Sequence, residues 1–326
     1  MPYAPVLDEA AARRHFSIEG RPALRYDPLA YLVPAPDHSV NFRWEEHPDG
    51  RFVKRSNNLG FFEDEPTAIE KHGLRVLVAG DSHTSGLVNN AESFCNVAER
   101  ELQRSLGRPD VEVLNAGVGY TSPTCYLGML EKHLALDPDV FVAALFTGND
   151  FCDEVFIGYE SKRWPRPEPG AEYYARAAVA HERFRGPFWQ GLNQAYRWKA
   201  FPAEPELALD SALTAYRAMK SLCDQRGIAF LAVLLPTKMD VDEDDRENLR
   251  AALDSLGLDE RDLTSNLAAG RRFLEGARAA GIACLDPTEE MARSPEILYW
   301  KKDYHIAVRG HALLGGLLVR ALEELL

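Results

Sequence analysis

The sequence lacks paired cysteines, long apolar runs and an excess of positive charge. Its five cysteines form no C-x-x-C pair, and cysteine and histidine are not clustered as a zinc site requires, so we expect free buried thiols and no metal site. No apolar run reaches the roughly 18 residues of a membrane span, so we expect no such span. The net charge of -13 disfavours nonspecific binding to nucleic acid or to anionic membrane surfaces.

Two regions of the chain differ in character from the rest. Residues 1–72 have no regular period and are rich in proline and aromatic residues, so we interpret them as an N-terminal extension packed on a core domain of residues 73–326. Within that domain, an insertion at about 151–205 is again rich in aromatic residues and proline. The start of the sequence, MPYAPVLDEAAARRHF, holds no apolar core of signal-peptide length, and we therefore expect a cytoplasmic location.

Apolar runs that end on glycine or proline alternate with segments of helical spacing after residue 73. Short apolar runs of this kind are typical of strands buried on both faces. The runs are Leu74–Gly80, Val111–Gly117, Asp139–Gly148, Ile228–Pro236 and Ile282–Pro287. The alternation predicts an α/β fold, namely a three-layer α/β/α sandwich around a flavodoxin-like five-stranded parallel sheet. In such sheets the chemistry lies beyond the carboxyl ends of the strands.

The residues that follow the predicted strands carry the parts needed for nucleophilic acyl transfer. Ser82 follows the first strand in GDSHTSG, and Asp303 and His305 precede the last helix in DYHIAVRGH. A serine hydroxyl becomes nucleophilic when a nearby base takes its proton. A histidine can be that base, and an aspartate can fix its tautomer and stabilise its charged form. Taken alone, Ser82 is equally well explained as the cap of the next helix.

Donors for a developing oxyanion are also present at the strand ends. Asn149 follows the third strand in GND, and glycines follow the second strand in NAGVGYTS. Backbone N–H groups at a glycine turn and an asparagine amide can both donate to an oxyanion. The same NAGVGYTS stretch partly matches a dinucleotide-binding fingerprint, but Ser122 stands where the third glycine is expected, and no acidic residue follows at the expected distance. We therefore expect no nicotinamide or flavin cofactor.

Taken in order, these blocks resemble the SGNH hydrolases, also called GDSL-type esterases and lipases. The matching stretches are Gly80-Asp81-Ser82, Gly148-Asn149-Asp150 and Asp303-Tyr304-His305, and RSNNLGFFEDEP and DYHIAVRGHALL also resemble bacterial members that act on acylated saccharides. The second block, NAGVGY, is one residue shorter than the usual family pattern. The last block has one residue between Asp and His, where many members have two.

The resemblance implies a role for each matching residue. Ser82 would be the nucleophile, His305 the base and Asp303 its partner. The oxyanion hole would be formed by the N–H of Ser82, the N–H of Gly119 and the side chain of Asn149, with Gly117 as the alternative to Gly119. The remaining polar residues of the blocks are expected to support the site: Asp81 and Asp150 by bonding their turns, and His83 and His311 by lining the pocket.

We therefore predict a serine esterase that needs no cofactor and hydrolyses a short-chain ester, with acetyl as the favoured acyl group. The resemblance alone favours a carbohydrate as the alcohol, and a small metabolite is also possible. Two alternatives remain open at this point: an O-acyltransferase that uses the same triad, and a noncatalytic binding module. The insertion starts directly after the third block, so we expect it to form a wall of the substrate pocket.

Overall fold

The computed structural model describes residues 6–326, and all of their side chains except those of residues 246–248. The first part forms one short helix and two antiparallel hairpins. These elements are α1 (Glu9–His15), β1 (Leu24–Asp27), β2 (Tyr31–Pro34), β3 (His38–Arg43) and β4 (Arg51–Ser56), with β1 paired to β2 and β3 to β4. The β3–β4 hairpin is stiffened by Phe42 and Phe52, which lie opposite each other with their rings stacked 4.8 Å apart.

The core of the molecule is a parallel five-stranded sheet. Its strands are β5 (Arg75–Gly80), β6 (Glu112–Asn115), β7 (Val140–Phe146), β8 (Ala229–Leu235) and β9 (Ala283–Leu285), in the spatial order β6-β5-β7-β8-β9. All four pairings are parallel. This is the strand order of flavodoxin-like sheets, so the predicted fold class is confirmed.

Helices cover both faces of this sheet and fill the connections. They are α2 (Ser82–Ser85), α3 (Phe94–Leu106), α4 (Pro123–His133), α5 (Asp150–Glu160), α6 (Ala171–Arg183), α7 (Arg185–Pro187), α8 (Asn193–Ala200), α9 (Glu204–Arg226), α10 (Lys238–Val241), α11 (Glu243–Asn248), α12 (Arg250–Leu256), α13 (Glu260–Ala279), α14 (Thr288–Ala292) and α15 (Val308–Glu323). Short 3-10 turns lie at Asn90–Glu92 and Leu134–Leu136, and a π turn at Phe188–Leu192. None of the helices in the described chain is both long and apolar enough to cross a bilayer.

Alternate residues of β7 show how the three layers form. Phe141 and Leu145 point into one apolar cluster, which includes residues of α4, α5, α9 and α13. Val140 and Val142 point into a second cluster on the other face, built with α3 and α15. Every residue of β7 is buried, because side chains of a strand alternate between two covered faces.

The thiols are distributed as expected. All five cysteines are free, and four of them are buried; Cys284 is partly exposed. Burial raises the pKa of the Cys223 thiol to about 12. The prediction of free, buried thiols is therefore confirmed for four of the five cysteines.

The aromatic segment at 151–205 is largely helical, which its sequence pattern did not indicate. It spans most of α5, then α6, α7, the π turn and α8. Arg197 forms a buried ion pair with Glu204, and the guanidinium also lies 4.7 Å from the ring centre of Phe156. The segment is thus an integral, packed part of the described chain. The proposed boundaries at residue 72 and at 151–205 stay predictions.

Candidate active site

The turn after β5 places Ser82 at the start of a short helix. Asp81 caps α2 by accepting a hydrogen bond from the His83 N–H at 2.9 Å, and Ser82 is the first residue of that helix. Gly80 is required here: a Cβ atom at this position would lie 2.0 Å from Thr84 Oγ1 and 2.9 Å from the Ala144 carbonyl oxygen. The sharp end of the buried strand therefore presents Ser82 at the carboxyl edge of the sheet, and Asp81, not Ser82, is the helix cap.

Ser82, His305 and Asp303 form a continuous chain of hydrogen bonds. Ser82 Oγ lies 2.8 Å from His305 Nε2, and His305 Nδ1 is hydrogen-bonded to Asp303 Oδ1. The backbone N–H of His305 also donates to Asp303 Oδ1 at 3.3 Å. Burial of Asp303 opposes its ionisation, but the hydrogen bonds and charge of His305 outweigh burial and lower the pKa of this carboxyl below its usual value. Asp303 is thus an ionised acceptor for the imidazole.

Tyr304 explains how a single intervening residue suffices between Asp303 and His305. Its φ of 73° is in the left-handed region, which is uncommon for a residue other than glycine. Its side chain is 5% exposed, and its hydroxyl donates to Asp245 Oδ1 at 2.8 Å. The N–H of Trp300 donates to the His305 carbonyl at 2.9 Å, which closes the turn. The left-handed residue folds the turn so that both flanking side chains meet.

Gly119 and Gly117 occupy different positions relative to Ser82. A Cβ at Gly119 would lie 3.4 Å from the Ser82 Cβ, whereas a Cβ at Gly117 would lie 2.4 Å from the Ser85 backbone nitrogen. The N–H of Gly117 already donates to Asn115 Oδ1 at 3.1 Å. Within residues 6–326, the N–H of Gly119 has no hydrogen-bond acceptor. Of these two glycines, Gly119 is therefore the one that lies beside the Ser82 side chain and has a backbone N–H free to donate a hydrogen bond.

Asn149 lies at the carboxyl end of β7, immediately before α5. Its side chain makes no capping hydrogen bond to that helix, so it does not serve its own turn. The side-chain oxygen is buried and has no partner among the described residues. The amide is therefore not committed to local structure.

Asp150 and Asp81 are buried carboxyls behind the site. Asp150 accepts hydrogen bonds from the Phe146 N–H and the Tyr126 hydroxyl, each at 2.7 Å, and so ties the end of β7 to the start of α5. Burial raises the pKa of Asp150 well above its usual value, and the charge of Asp81 adds to the effect. Burial also raises the pKa of Asp81 to about 6, although the charge of His305 opposes that rise.

His83 stacks between Phe146 and His305. Its ring centre lies 3.7 Å from that of Phe146 and 4.5 Å from that of His305. Its Nε2 is 3.0 Å from Gln190 Oε1, so a residue of the aromatic segment reaches the site. Burial, followed by the charge of His305, lowers the pKa of His83 well below its usual value. Sequence reasoning missed Gln190, because nothing in FWQGL signals a polar contact with a distant histidine.

His311 lies next to Gly86, at the end of α2. Its Nδ1 accepts a hydrogen bond from the Phe94 N–H at 3.2 Å, and a Cβ at Gly86 would lie 3.2 Å from its Nε2. The residue is fully buried, and burial lowers its pKa to about 3. His311 is therefore a neutral packing residue.

Among the described residues, no group of three or more His, Cys, Asp or Glu side chains is arranged to hold a metal ion.

Comparison with known proteins gives matches among solved structures alone; no protein-family model and no curated protein matches the chain. A lipase/acylhydrolase from Enterococcus faecalis shares 16% identity at a TM-score of 0.44, covering 77% of this chain and 96% of that one. An acetylxylan esterase from Geobacillus stearothermophilus, solved as a catalytic mutant, shares 14% identity at a TM-score of 0.46, covering 78% and 96%. A GDSL-like lipase from Bacteroides thetaiotaomicron shares 13% identity at 0.41, covering 77% and 89%.

One of the three, the GDSL-like lipase, carries the family name that the sequence blocks resemble. The identities of 13–16% are low, and the roles of the site residues rest on the geometry of this chain. What this chain can do chemically follows from its own residues.

Proposed function

We propose that this protein is a serine ester hydrolase of the SGNH type with Ser82 as its nucleophile. The observation that carries the proposal is the hydrogen-bonded chain from Ser82 Oγ through His305 to Asp303, at the carboxyl end of the sheet. A structural serine or histidine has no need of this arrangement, whereas general-base activation of a hydroxyl requires it. Ligands of open parallel sheets bind at this same edge.

The proposed first step is acyl transfer to the enzyme. His305 Nε2 takes the Ser82 proton as Oγ attacks the ester carbonyl, and the carbonyl π electrons move to oxygen. The N–H groups of Ser82 and Gly119 and the amide of Asn149 would hold that oxyanion. His305 then gives the proton to the leaving alkoxide, so the alcohol departs neutral and the acyl group stays on Ser82.

Deacylation repeats this sequence with water. His305 takes a proton from water, the hydroxide attacks the acyl carbon, and the proton returns to Ser82 Oγ as the acid leaves. Asp303 accepts the Nδ1 hydrogen bond throughout, so Nε2 faces the serine and the imidazolium is stabilised. The products are one carboxylic acid and one alcohol, and no cofactor is needed.

We further propose a short acyl group, acetyl first. Gln190 of the aromatic segment packs closely against the backbone next to Asn149: a Cβ at Gly148 would lie 2.8 Å from the Gln190 carbonyl oxygen. A close wall of this kind favours a small acyl group and supports the expectation that the segment lines the pocket.

A carbohydrate is the proposed alcohol. Tyr120 directly follows Gly119, and the residue is 63% exposed. Its φ of 70° is in the left-handed region, and strained residues of this kind gather at functional sites. The Arg21 guanidinium lies 5.0 Å from the centre of the Tyr120 ring and orients it. An aromatic face beside polar groups is a suitable contact for a sugar ring.

The test is release of p-nitrophenol from p-nitrophenyl acetate by the wild-type protein and by Ser82→Ala. Ser105→Ala, which alters an exposed serine on α3, is the matched control. Turnover that is lost in Ser82→Ala and kept in Ser105→Ala supports the proposal, and acetylated sugars then follow as substrates. Fluorophosphonate labelling of Ser82 without hydrolysis would indicate an O-acyltransferase instead. Absence of both labelling and turnover would indicate a noncatalytic binding module.

A further inference from the structure

The β3–β4 hairpin contacts the turn that carries Asp303 and His305. Glu46 lies in the loop that joins the two strands, and its carboxylate accepts hydrogen bonds from two consecutive backbone N–H groups. One oxygen receives the N–H of Lys301 at 2.9 Å, and the other receives that of Lys302 at 3.1 Å. Asp303 is the next residue in the chain. Glu46 therefore fixes the backbone directly before the Asp–His pair.

The same hairpin also contacts the nucleophile helix. Lys54, on β4, donates from Nζ to the carbonyl oxygen of Ser85 at 2.8 Å. Ser85 is the last residue of α2, and Ser82 is the first. The Lys54 side chain is 8% exposed, and its Nζ lies 3.7 Å from the ring centre of Phe62. A buried lysine that bonds a helix carbonyl holds that helix end in place.

Further hydrogen bonds anchor the hairpin to the core domain. The Val53 N–H donates to Asn89 Oδ1 at 2.9 Å, and Asn90 Nδ2 donates to the Arg55 carbonyl at 2.9 Å. At the other end of the hairpin, His47 Nε2 lies 3.0 Å from Glu92 Oε2. These hydrogen bonds hold both ends of the hairpin against the rest of the protein.

Both catalytic segments need support from outside. The helix α2 has only four residues, and so short a helix is not stable by itself. The turn from 300 to 305 contains the left-handed Tyr304, a conformation that persists only where surrounding contacts enforce it. The contact between Ser82 and His305 joins these two segments, so its length depends on how each is held.

We propose that the β3–β4 hairpin is a clamp that sets the distance between Ser82 and His305, with Glu46 and Lys54 as positioning residues. This inference rests on the proposed function. The extension is then a part of the catalytic unit rather than an accessory to it. A displacement of about 1 Å between reacting groups can cost a factor on the order of 100 in rate, so two anchoring contacts are sufficient to matter.

Glu46→Ala and Glu45→Ala form a matched pair that tests the clamp. Glu45 is the neighbouring carboxylate, but it bonds only the side chain of Lys302 in an ion pair whose partners are 76% and 75% exposed. Such pairs contribute little. With p-nitrophenyl acetate, we expect kcat of Glu46→Ala to fall on the order of ten-fold or more with KM nearly unchanged, and Glu45→Ala to match the wild type. Glu46→Gln, which keeps a carbonyl acceptor, should recover part of the rate.

A second variant and a spectroscopic signal keep the test independent of folding and of activity. Lys54→Met should lower kcat in the same way. The low-field proton NMR signal of the His305 Nδ1–H···Asp303 hydrogen bond should shift or broaden in Glu46→Ala and stay unchanged in Glu45→Ala, at equal melting temperatures. Loss of kcat together with this change supports the clamp.

Unchanged kcat and an unchanged proton signal in Glu46→Ala would overturn the clamp even if the wild type is a Ser82-dependent esterase. A wild-type protein without hydrolysis would instead overturn the proposed function. In that case, a change of the low-field His305 proton signal in Glu46→Ala would still show whether Glu46 positions His305. Equal losses in Glu45→Ala and Glu46→Ala would also overturn the clamp, because they would indicate a general effect of charge.

Discussion

Ser82 Oγ and His305 Nε2 lie 2.8 Å apart although 223 residues separate them in the chain. Ser82 is held by the end of β5 and the cap of α2, and His305 is held by a turn that precedes α15. The two residues meet because both elements stand at the carboxyl edge of one sheet.

Replacement of His305 by alanine should reduce kcat for p-nitrophenyl acetate by several orders of magnitude, because Ser82 loses its base. The double variant with Ser82→Ala should be no worse than Ser82→Ala alone, since residues that act as one unit are not additive. Steady-state rates of the two single variants and the double variant test this. The exposed His72, changed to alanine, is the control and should keep full activity.

Replacement of Asn149 by alanine should lower kcat by about 10²–10³, as loss of one oxyanion donor does elsewhere, with little change in KM. The reason is that the amide would bond the carbonyl oxygen only once it carries negative charge. A KM effect with unchanged kcat would instead assign Asn149 to ground-state binding. The fluorophosphonate labelling rate provides a second measurement of the same donor.

The two glycines after β6 should respond differently to alanine. In Gly119→Ala the new methyl would lie 3.4 Å from the Ser82 Cβ, so we expect reduced activity in a normally stable protein. In Gly117→Ala the methyl would lie 2.4 Å from the Ser85 nitrogen, so we expect a loss of about 1–3 kcal/mol in the free energy of unfolding. Urea denaturation and kcat measured together separate the two effects. An unstable Gly119→Ala beside a stable Gly117→Ala would contradict this assignment.

Replacement of Asp81 by asparagine should raise the free energy of unfolding at pH 7–8. Burial raises the pKa of Asp81 to about 6 in the folded protein, from 3.8. The folded state therefore binds more protons than the unfolded state between these values, and stability from this group is present below pH 4 and lost as pH rises through 6. Asparagine keeps the cap without the charge, so the gain should be about 1–3 kcal/mol above pH 6 and should vanish near pH 4. Urea denaturation across pH 4–8 measures it.

Much of the fold could be predicted from local patterns. Each predicted strand appears, shorter by one to three residues. Each begins one residue later than predicted, and the glycine or proline at its carboxyl end lies outside the strand except Gly80, which is the last residue of β5. Gly107, which ends α3, has the left-handed conformation common for a glycine at a helix C-terminus, with a φ of 62°. By contrast, the helices of residues 171–200 were not predicted; α6, for example, buries only Ala180 and so presents no wide apolar stripe.

Part of the candidate site could likewise be predicted from the sequence, and part depends on the tertiary structure. The sequence by itself determined the residue types and the strand ends that bear them, because turn chemistry at Gly80 and Asp81 is local and a parallel sheet gathers its carboxyl ends at one edge. Only the tertiary structure decided which glycine has a free N–H beside Ser82, that Gln190 reaches His83, and that Glu46 and Lys54 bond the backbone before Asp303 and the end of α2. These are contacts between residues far apart in sequence, and their geometry depends on packing to within about 1 Å, which no periodicity or motif encodes.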